Sequence, residues 1–403
     1  MTVTFEIVLL ALLAYAWVGY PLALALVSRL RAPRCNSVSS SLPVSVSFLF
    51  SAHNEEKHIA ARLKDLLSAS EELRPSGVRC EILAGVDGSV DRTAEIARSL
   101  AAPHPDVHVL ESPERRGKMR MVKDLVAAAE GEVLILTDAN TFFRPGSPAQ
   151  LLRHFADPAI GGVCGRLILK EPGGRRPESG VRSPEGSYWD WESHLKFMES
   201  GLDSCLGANG AIYAIRRELF WRDVPDNTVV DDFVIGMKVR EAGRRMLYEP
   251  KAVAEEELPE RAHEWPRRIR IGAGDFQALA LCVRCLQPHY GAFSWFFWSH
   301  KVLRWCTPHI VITTVFLSVL HCSLSADHGS LSRLLLATCL GGVAAWVAGR
   351  MLLSIRPAGR GILSILLLWE HFVTMQAALF VGSLRYLRGD LKGHWARTPR
   401  SGS

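Results

Sequence analysis

Two stretches of this 403-residue chain place carboxylates at a spacing that supports chemistry. In the first, the apolar run Val133-Leu134-Ile135-Leu136 passes through Thr137 into Asp138-Ala139-Asn140. A carboxylate and a carboxamide two residues apart, just beyond a strand, are oxygen ligands suited to a hard cation such as Mg²⁺ or Mn²⁺. The same two residues also serve a plain β-turn, where they satisfy backbone groups. In the second stretch, Asp231 and Asp232 stand side by side at the start of a helical pattern, where they complement the helix dipole. Polar clusters of the same kind recur at Asn54-Glu55 and at Asp87, Ser89 and Asp91, and basic ones at Lys118 and at Arg267, Arg268 and Arg270. Arginines in such a cluster hold a diphosphate through paired hydrogen bonds, or lie on anionic lipid as one face of an amphipathic helix.

The elements that must position these residues follow from periodicity. Strands are expected over residues 44–50, 82–86, 107–110 and 133–137, and helices over 57–69, 93–100 and 119–129. Ile59, Leu63, Leu66 and Leu67 share one side of the first helix, and Asp91 is placed to cap the second. Alternation of strands and helices at this spacing predicts an α/β domain with a parallel, Rossmann-like sheet. Ligands of such sheets bind beyond the carboxyl ends of the strands. Three successive strands here end in polar clusters on that edge, which points to a nucleotide and metal crevice rather than to turn chemistry repeated three times. Neither a G-x-G-x-x-G fingerprint nor a Walker A sequence is present, so NAD-type and P-loop sites have no support. Further on, residues 171–187 are rich in Gly, Pro and Arg and read as a loop that could act as a lid. A helix over 188–202 carries Trp189, Trp191, Lys196 and Glu199, as a sugar platform or as packing. Gly207, Ala208, Asn209 and Gly210 precede a strand over 212–215, and their small size allows close approach to a ligand.

In these motifs and in their order the chain resembles the membrane-bound glycosyltransferases of family 2, the GT-A enzymes that include cellulose, hyaluronan and poly-N-acetylglucosamine synthases. The resemblance covers the chain from its first apolar span to its tail. It rests on Asn54-Glu55, on the D-G-S-x-D-x-T motif at Asp87, Gly88, Ser89, Asp91 and Thr93, on Gly117-Lys118, and on Asp138-Ala139-Asn140 in the D-x-D position. It implies that Asn54, Glu55, Asp87, Ser89, Asp91, Lys118, Asp138, Arg267 and Arg268 bind the nucleotide sugar. It also implies that Asp138 and Asn140 hold the metal, although Asn140 replaces the family's second Asp. The segment Gly207 to Gly210 would lie near the acceptor. Val230-Asp231-Asp232 matches the family's T-E-D, which implies Asp232 as the base that deprotonates the acceptor hydroxyl, with Asp231 orienting it. At the position of Q-x-x-R-W, Arg270 takes the Arg, Arg267 replaces the Gln and Ile271 replaces the Trp, so processive polymerisation is a weaker implication than transfer itself. The expected activity is inverting transfer of a sugar from a UDP-sugar, with Mg²⁺ or Mn²⁺, onto a polysaccharide or lipid-linked acceptor in cell-surface glycan synthesis. The alternatives are transfer of a single sugar to a lipid carrier, and a nucleotide-binding membrane scaffold without turnover.

Composition supports a membrane setting. The chain is 48% hydrophobic and 22% charged, with a net charge of +6. Its Arg clusters adjoin apolar runs, which suggests a lipid surface rather than nucleic acid. Residues 1–30 form a candidate span that Arg29, Arg31 and Arg34 follow, placing the middle of the chain in the cytoplasm. A linker over 31–43 leads to the GT-A domain at 44–260, then interfacial helices at 261–300, membrane helices at 301–388 and a basic tail at 389–403. Within the membrane part, 302–324 and 334–353 read as a hairpin, with Trp295, Trp298 and Trp305 as an interfacial belt at its entrance. Residues 361–384, with Glu370-His371 in the middle, read as an interfacial or re-entrant helix, with a third span as the alternative. The expected location is the inner (plasma) membrane, multi-pass, with other polysaccharide-synthesis or export proteins as partners. The scattered cysteines, including Cys282 and Cys285 as a lone C-x-x-C, read as small core residues.

Overall fold

The structure, a computed structural model, describes residues 2–31, 42–170, 184–257, 264–324, 330–355 and 362–391. The expected lid at 171–187 falls mainly outside the described residues, as do most of the linker and the basic tail. Strand β1 (Ser45–Ala52) is the buried centre of an eight-stranded sheet of order β3-β2-β1-β4-β7-β6-β8-β5. Phe48 and Phe50 of β1 point to one face and Leu49 to the other, and all three are buried. An apolar run without polar alternation is what a strand covered on both sides requires. Helices α3 (Ile59–Leu73) and α4 (Thr93–Ala101) pack on the Phe48 face through Ile59, Leu63, Leu66 and Ala97. Helix α5 (Lys118–Ala128) covers the Leu49 face with Met121, Val122 and Leu125.

β2 (Arg79–Asp87), β1, β4 (Val133–Asp138) and β3 (Val107–Ser112) are parallel, as expected. Beyond β4 the sheet is mixed, which corrects the expectation of a parallel sheet. β7 (Tyr213–Arg216) runs antiparallel to both β4 and β6 (Ile160–Lys170). β8 (Arg245–Glu257) pairs parallel with β6 and antiparallel with the short β5 (Thr141–Phe143), and α6 (Ser147–Leu152) links β5 to β6. The chain reaches β7 from α7 (Pro184–Leu202) through residues 203–212, which return over the carboxyl end of β4 and so bring β7 in antiparallel to it. Helix α8 (Asp231–Glu241) follows β7 and sends Ile235 and Val239 into the Leu49-face core. Strand order reverses at β1, with β2 on one side and β4 on the other, so the ligand crevice of this topology opens between Asn54 and Asp138.

A third apolar cluster joins this domain to the membrane part. The N-terminal helices α1 (Thr2–Ala14) and α2 (Tyr20–Leu30), separated by a π-helical turn at Tyr15–Gly19, contribute Tyr20 and Leu24. α7 adds Leu195 and Leu202, and α9 (Glu264–Leu281) adds Ala278. The short helices α10 (Ala292–Phe296) and α11 (Leu303–Trp305) flank a π turn and add Phe293, Phe296, Phe297 and Trp305. Trp305, expected in an interfacial belt, is therefore core, and the first helix of the hairpin, α12 (Thr307–Leu324), begins after it. Cys282 and Cys285 are buried free thiols in the same cluster.

Among the described residues, four helices are long and apolar enough to cross a membrane: Val3–Leu30, Thr307–Leu324, Leu331–Met351 and Ile365–Leu387. The second and third lie in α12 and α13 (Ser330–Ile355), and the fourth in α14 (Ile362–Leu387). α14 is one unbroken helix, long and apolar enough for the third span. Its Glu370 is satisfied by Arg350 Nη1 at 3.3 Å and by the Thr374 hydroxyl at 2.9 Å. α14 also lies along α9, and the close approach requires glycine on both sides. A Cβ on Gly272 would sit 2.9 Å from Leu379 Cα, and one on Gly382 would sit 2.6 Å from Ala273 N.

Candidate active site

The loops after β1 and β2 are tied into one knot. Asn54 adopts φ 55°, a left-handed conformation that Asn tolerates better than most residues. Its N–H donates to Ser89 Oγ at 3.0 Å, and its Oδ1 accepts the Val90 N–H at 2.9 Å. Glu55 N–H donates to Thr93 Oγ1 at 2.8 Å, and Glu56 N–H to Asp91 Oδ2 at 3.2 Å. Asp91 Oδ1 accepts the Thr93 N–H and so caps α4, as expected. Partial burial opposes the charge of Asp91, but the hydrogen bonds from Thr93 and Glu56 outweigh it and hold the carboxyl below its ordinary range. Asp87 is buried and accepts the N–H groups of Arg116 and Gly117 at 2.7 and 2.8 Å. Gly88 is needed at this turn, because a Cβ there would lie 2.3 Å from Arg115 N. The residues expected to bind nucleoside thus first build the wall of the crevice and fix the loop that carries Lys118.

Lys118 is the cation at the centre. Its Nζ donates to Asp138 Oδ1 at 3.0 Å and lies 3.4 Å from Asp231 Oδ2. Burial disfavours its charge, but Asp138, Asp231 and Asp232 together raise its pKa. Asp232 Oδ1 accepts its neighbour Phe233 N–H at 2.9 Å. Burial, with Asp231 and Asp138 adding to it against Lys118, pushes the Asp232 carboxyl upward. Gly210 lies between the two edges of the site: a Cβ there would be 3.0 Å from Asp138 Oδ2 and 3.5 Å from Asp232 Oδ2. A strand-end carboxylate and a helix-start carboxylate therefore face one small gap that only glycine leaves open.

The other residues expected near the acceptor have different places. Asn209 is buried, donating to Gly165 O at 2.8 Å and accepting the Ile212 N–H at 3.2 Å, so it braces the segment onto β6. Gly207, at φ 63°, and Ala208 pack against α8, with Phe233 against Gly207. Of the four, Gly210 alone abuts the carboxylates. The three arginines of α9 also separate. Arg267 and Arg268 both pair with Glu264. Arg270 is half-buried; burial and Arg267 lower it to about 10, while Asp231 and Asp138, within range of its charge, pull the other way. Trp191 stacks on Trp17 at 6.3 Å and lies under the Arg304 guanidinium at 4.2 Å, which makes it an anchor of the N-terminal helix.

The donor set suits a divalent cation that the substrate completes. Among the described residues no group of three or more His, Cys, Asp or Glu side chains gathers to hold an ion. Asp138 and Asn140, both half-buried, carry two side-chain oxygens of the kind such a cation takes. Mg²⁺ is usually held by one or two carboxylates with substrate phosphates and water making up the rest.

Three residues that bear on the site escaped sequence reasoning. Arg62, fully buried, braces the end of β4 by donating to Thr137 Oγ1 at 2.9 Å and stacking on Phe143 at 4.4 Å. Its signal was an arginine on the apolar face of α3. Gln277 accepts the Val229 N–H at 3.0 Å and donates to Asn227 O at 3.2 Å, fixing the turn that leads to Asp231. Asp275, between Gly274 and Gln277 on the same helix, lies within range of the Asp232 charge.

Comparison with known proteins agrees with this architecture. The family model Glycosyl transferase family 2 matches residues 47–223. Two curated relatives from Trichomonas vaginalis are dolichyl-phosphate beta-glucosyltransferases. One is 31% identical over 106 residues, which are 26% of this chain and 32% of the relative. The other is 30% identical over 99 residues, 24% of this chain and 30% of the relative. The matches span about a third of the relatives' length. Among solved structures, the mannosyltransferase PcManGT from Pyrobaculum calidifontis, in complex with GDP-Man and Mn²⁺, superposes with a TM-score of 0.64 at 22% identity. It covers 95% of this chain and 99% of that one, so the membrane helices share its fold as well as the GT-A sheet.

Proposed function

From the premise that this chain carries a family 2 glycosyltransferase domain of GT-A fold, we propose that it moves a hexose from a UDP-sugar to an acceptor at the cytoplasmic face of the inner membrane, with inversion. The observation that carries the reading is the pairing of Lys118 with Asp138 and Asp231, with Asp232 beside them across Gly210. Asp138 belongs to the donor edge of the sheet and Asp232 to the acceptor side, so the anomeric carbon is held between them. Asp232 accepts the acceptor's hydroxyl proton as that oxygen attacks the anomeric carbon. The bond from that carbon to the diphosphate breaks on the opposite face. Lys118 and Arg270 stabilise the charge that develops on the departing diphosphate. A divalent cation held by Asp138 and Asn140, Mg²⁺ or Mn²⁺, would supply further neutralisation of that diphosphate. The solved mannosyltransferase, which carries GDP-Man and Mn²⁺, is consistent with this requirement.

A second reading is favoured by the names of the curated relatives, which act on dolichyl phosphate. In it, one sugar is transferred to the phosphate of a lipid carrier, and no polymer forms. The test is nucleotide release by the purified full-length chain in lipid nanodiscs, against a panel of UDP- and GDP-sugars with Mg²⁺, Mn²⁺ or EDTA. Release from a UDP-hexose that EDTA abolishes is expected. No release from any donor would overturn the reading in favour of a non-catalytic scaffold.

A further inference from the structure

One arginine grips both ends of the loop that carries Asp138 and Asn140. Arg62 lies on the buried side of α3 and is itself fully buried. Its Nη2 donates to Thr137 Oγ1 at 2.9 Å, one residue before Asp138. Its Nη1 donates to Thr141 O at 2.5 Å, one residue after Asn140. Nη1 also donates to Asp65 Oδ2 at 2.6 Å, and that oxygen accepts the Phe143 N–H at 3.2 Å. The Phe143 ring lies against the guanidinium at 4.4 Å. Thr137, Ala139 and Thr141 are buried with Arg62, while Asp138 and Asn140 are half-buried.

The hydroxyl of Thr137 carries this grip across the crevice. Besides accepting from Arg62, it donates to Ala211 O at 2.7 Å. Ala211 follows Gly210, the residue whose Cβ would lie 3.0 Å from Asp138 Oδ2 and 3.5 Å from Asp232 Oδ2. A continuous path of hydrogen bonds and backbone therefore runs from α3 to the gap between the two carboxylates. Stability alone does not account for a charge at this depth. Burying a guanidinium is costly, and well-packed apolar side chains in place of a buried ion pair are often no less stable. Burial lowers Arg62 to about 10 while Asp65 and Asp138 pull the other way, so it stays charged at neutral pH. What an apolar side chain cannot do is hold two acceptors four residues apart, which the rigid fork of donors does.

We propose that Arg62 is a positioning residue for the transfer. Through Thr137 and Thr141 it fixes where Asp138 and Asn140 present their oxygens to a divalent cation, and how far Asp138 stands from Asp232. The inference rests on the transfer reading above and adds to it a residue that touches no substrate. Losing a hydrogen bond that orients the ligands of a metal typically costs about 10–100-fold in metal affinity or activity. A displacement of about 1 Å among reacting groups costs rate on a similar scale. The loops after β1 and β2 are tied by their own hydrogen bonds, from Asn54 to Ser89 and from Gly117 to Asp87, so the nucleoside side does not depend on this path.

The experiment uses the full chain in lipid nanodiscs. Mn²⁺ binding with saturating UDP is followed by electron paramagnetic resonance, UDP binding in EDTA by calorimetry, and turnover as UDP release. Arg62→Met is expected to weaken Mn²⁺ about tenfold or more and to lower kcat about as far, with UDP affinity in EDTA changed less than about twofold. Thr137→Val keeps the shape, deletes the shared hydroxyl and should reproduce these losses. Thr137→Ser keeps the hydroxyl and should stay within about twofold of the wild type. This pair stands whether or not Arg62→Met folds. Wild-type Mn²⁺ affinity in Thr137→Val or in folded Arg62→Met would overturn the proposal. So would equal losses in Thr137→Ser and Thr137→Val, UDP affinity falling as far as Mn²⁺ affinity, or no Mn²⁺ binding by the wild type with UDP. Absence of release from every donor by a wild type that binds Mn²⁺, with the variants weakened as stated, would instead be failure of the transfer reading itself.

Discussion

The donor edge and the acceptor side of this site are built in opposite ways. On the donor edge, Asn54 meets Ser89, Glu55 meets Thr93 and Glu56 meets Asp91, all within the first two strand–helix units. Strand ends and tight turns set these contacts. On the acceptor side, Glu199 meets Tyr20 from 179 residues away and Glu192 meets His300 from 108 away. Those contacts exist only when the N-terminal helix, α7 and the segment entering the membrane hairpin have assembled. Nucleotide affinity should therefore depend on the sheet, and acceptor affinity on the membrane assembly.

Asp232 sits where the two regions meet, and its loss should have the largest effect. Asp232→Asn keeps the shape and removes the base. Transfer is expected to fall by about 10³-fold, within the ~10²–10⁴ range of general-base contributions. UDP affinity should stay within about twofold, because the donor edge is untouched. Full transfer by this variant would remove Asp232 from the mechanism. Lys118→Met comes next, at roughly 10²-fold in kcat. Unlike Asp232→Asn it should also weaken UDP, since Lys118 is held by the donor-edge loop and faces Asp138.

The pH dependence sharpens the same contrast. A base must be ionised, and burial with two acidic neighbours raises the Asp232 carboxyl. The rate should therefore hold at high pH and fall as pH drops through that raised value, above the range of an ordinary carboxylate. Lys118 is the group that opposes the rise, so in Lys118→Met the acid limb should move to still higher pH. UDP binding, followed over the same range, should lack that limb. An acid limb in the ordinary carboxylate range for both proteins would show that the base is a different group.

The two regions were also unequally legible in the sequence. The donor edge could be read because each motif residue sits next to an apolar run that names its own strand: Asn54 after β1, Asp87 at the end of β2, Asp138 at the end of β4. Asp91 as a cap needs only its neighbours. The turn of the sheet from parallel to mixed was hidden, because the direction of β7 depends on how residues 203–212 return over β4. Asn209 looked like a ligand, yet what fixes it is Gly165 on a strand 44 positions away. Arg267, Arg268 and Arg270 were equivalent as letters. In the helix Arg267 and Arg268 pair with Glu264, while Arg270 lies within range of Asp231 and Asp138. Lys196 carries no motif at all, and its burial depends on how α7 packs, which no local pattern encodes.

The smallest expected effect tests the local character of the donor edge. Asp91 is near the surface, and its carboxylate joins the β1 loop to the start of α4 through Glu56 N–H and Thr93. Asp91→Ala should cost about 1 kcal/mol, the usual size of a lost helix cap. That corresponds to a fall of about 2–4 °C in unfolding temperature for a domain of this size. Because the folded state holds this carboxyl below its ordinary value, its stabilisation is present above the unfolded pKa and is lost as pH falls through the folded one. The wild-type advantage over Asp91→Ala should thus shrink in acid. UDP affinity should weaken a little and acceptor KM should not move, since among the described residues the hydrogen bonds of Asp91 go to Glu56 and Thr93 and none crosses to α7 or α9. A change in acceptor KM as large as that in UDP affinity would mean that the two regions are coupled, and that the knot on the donor edge holds more than its own loops.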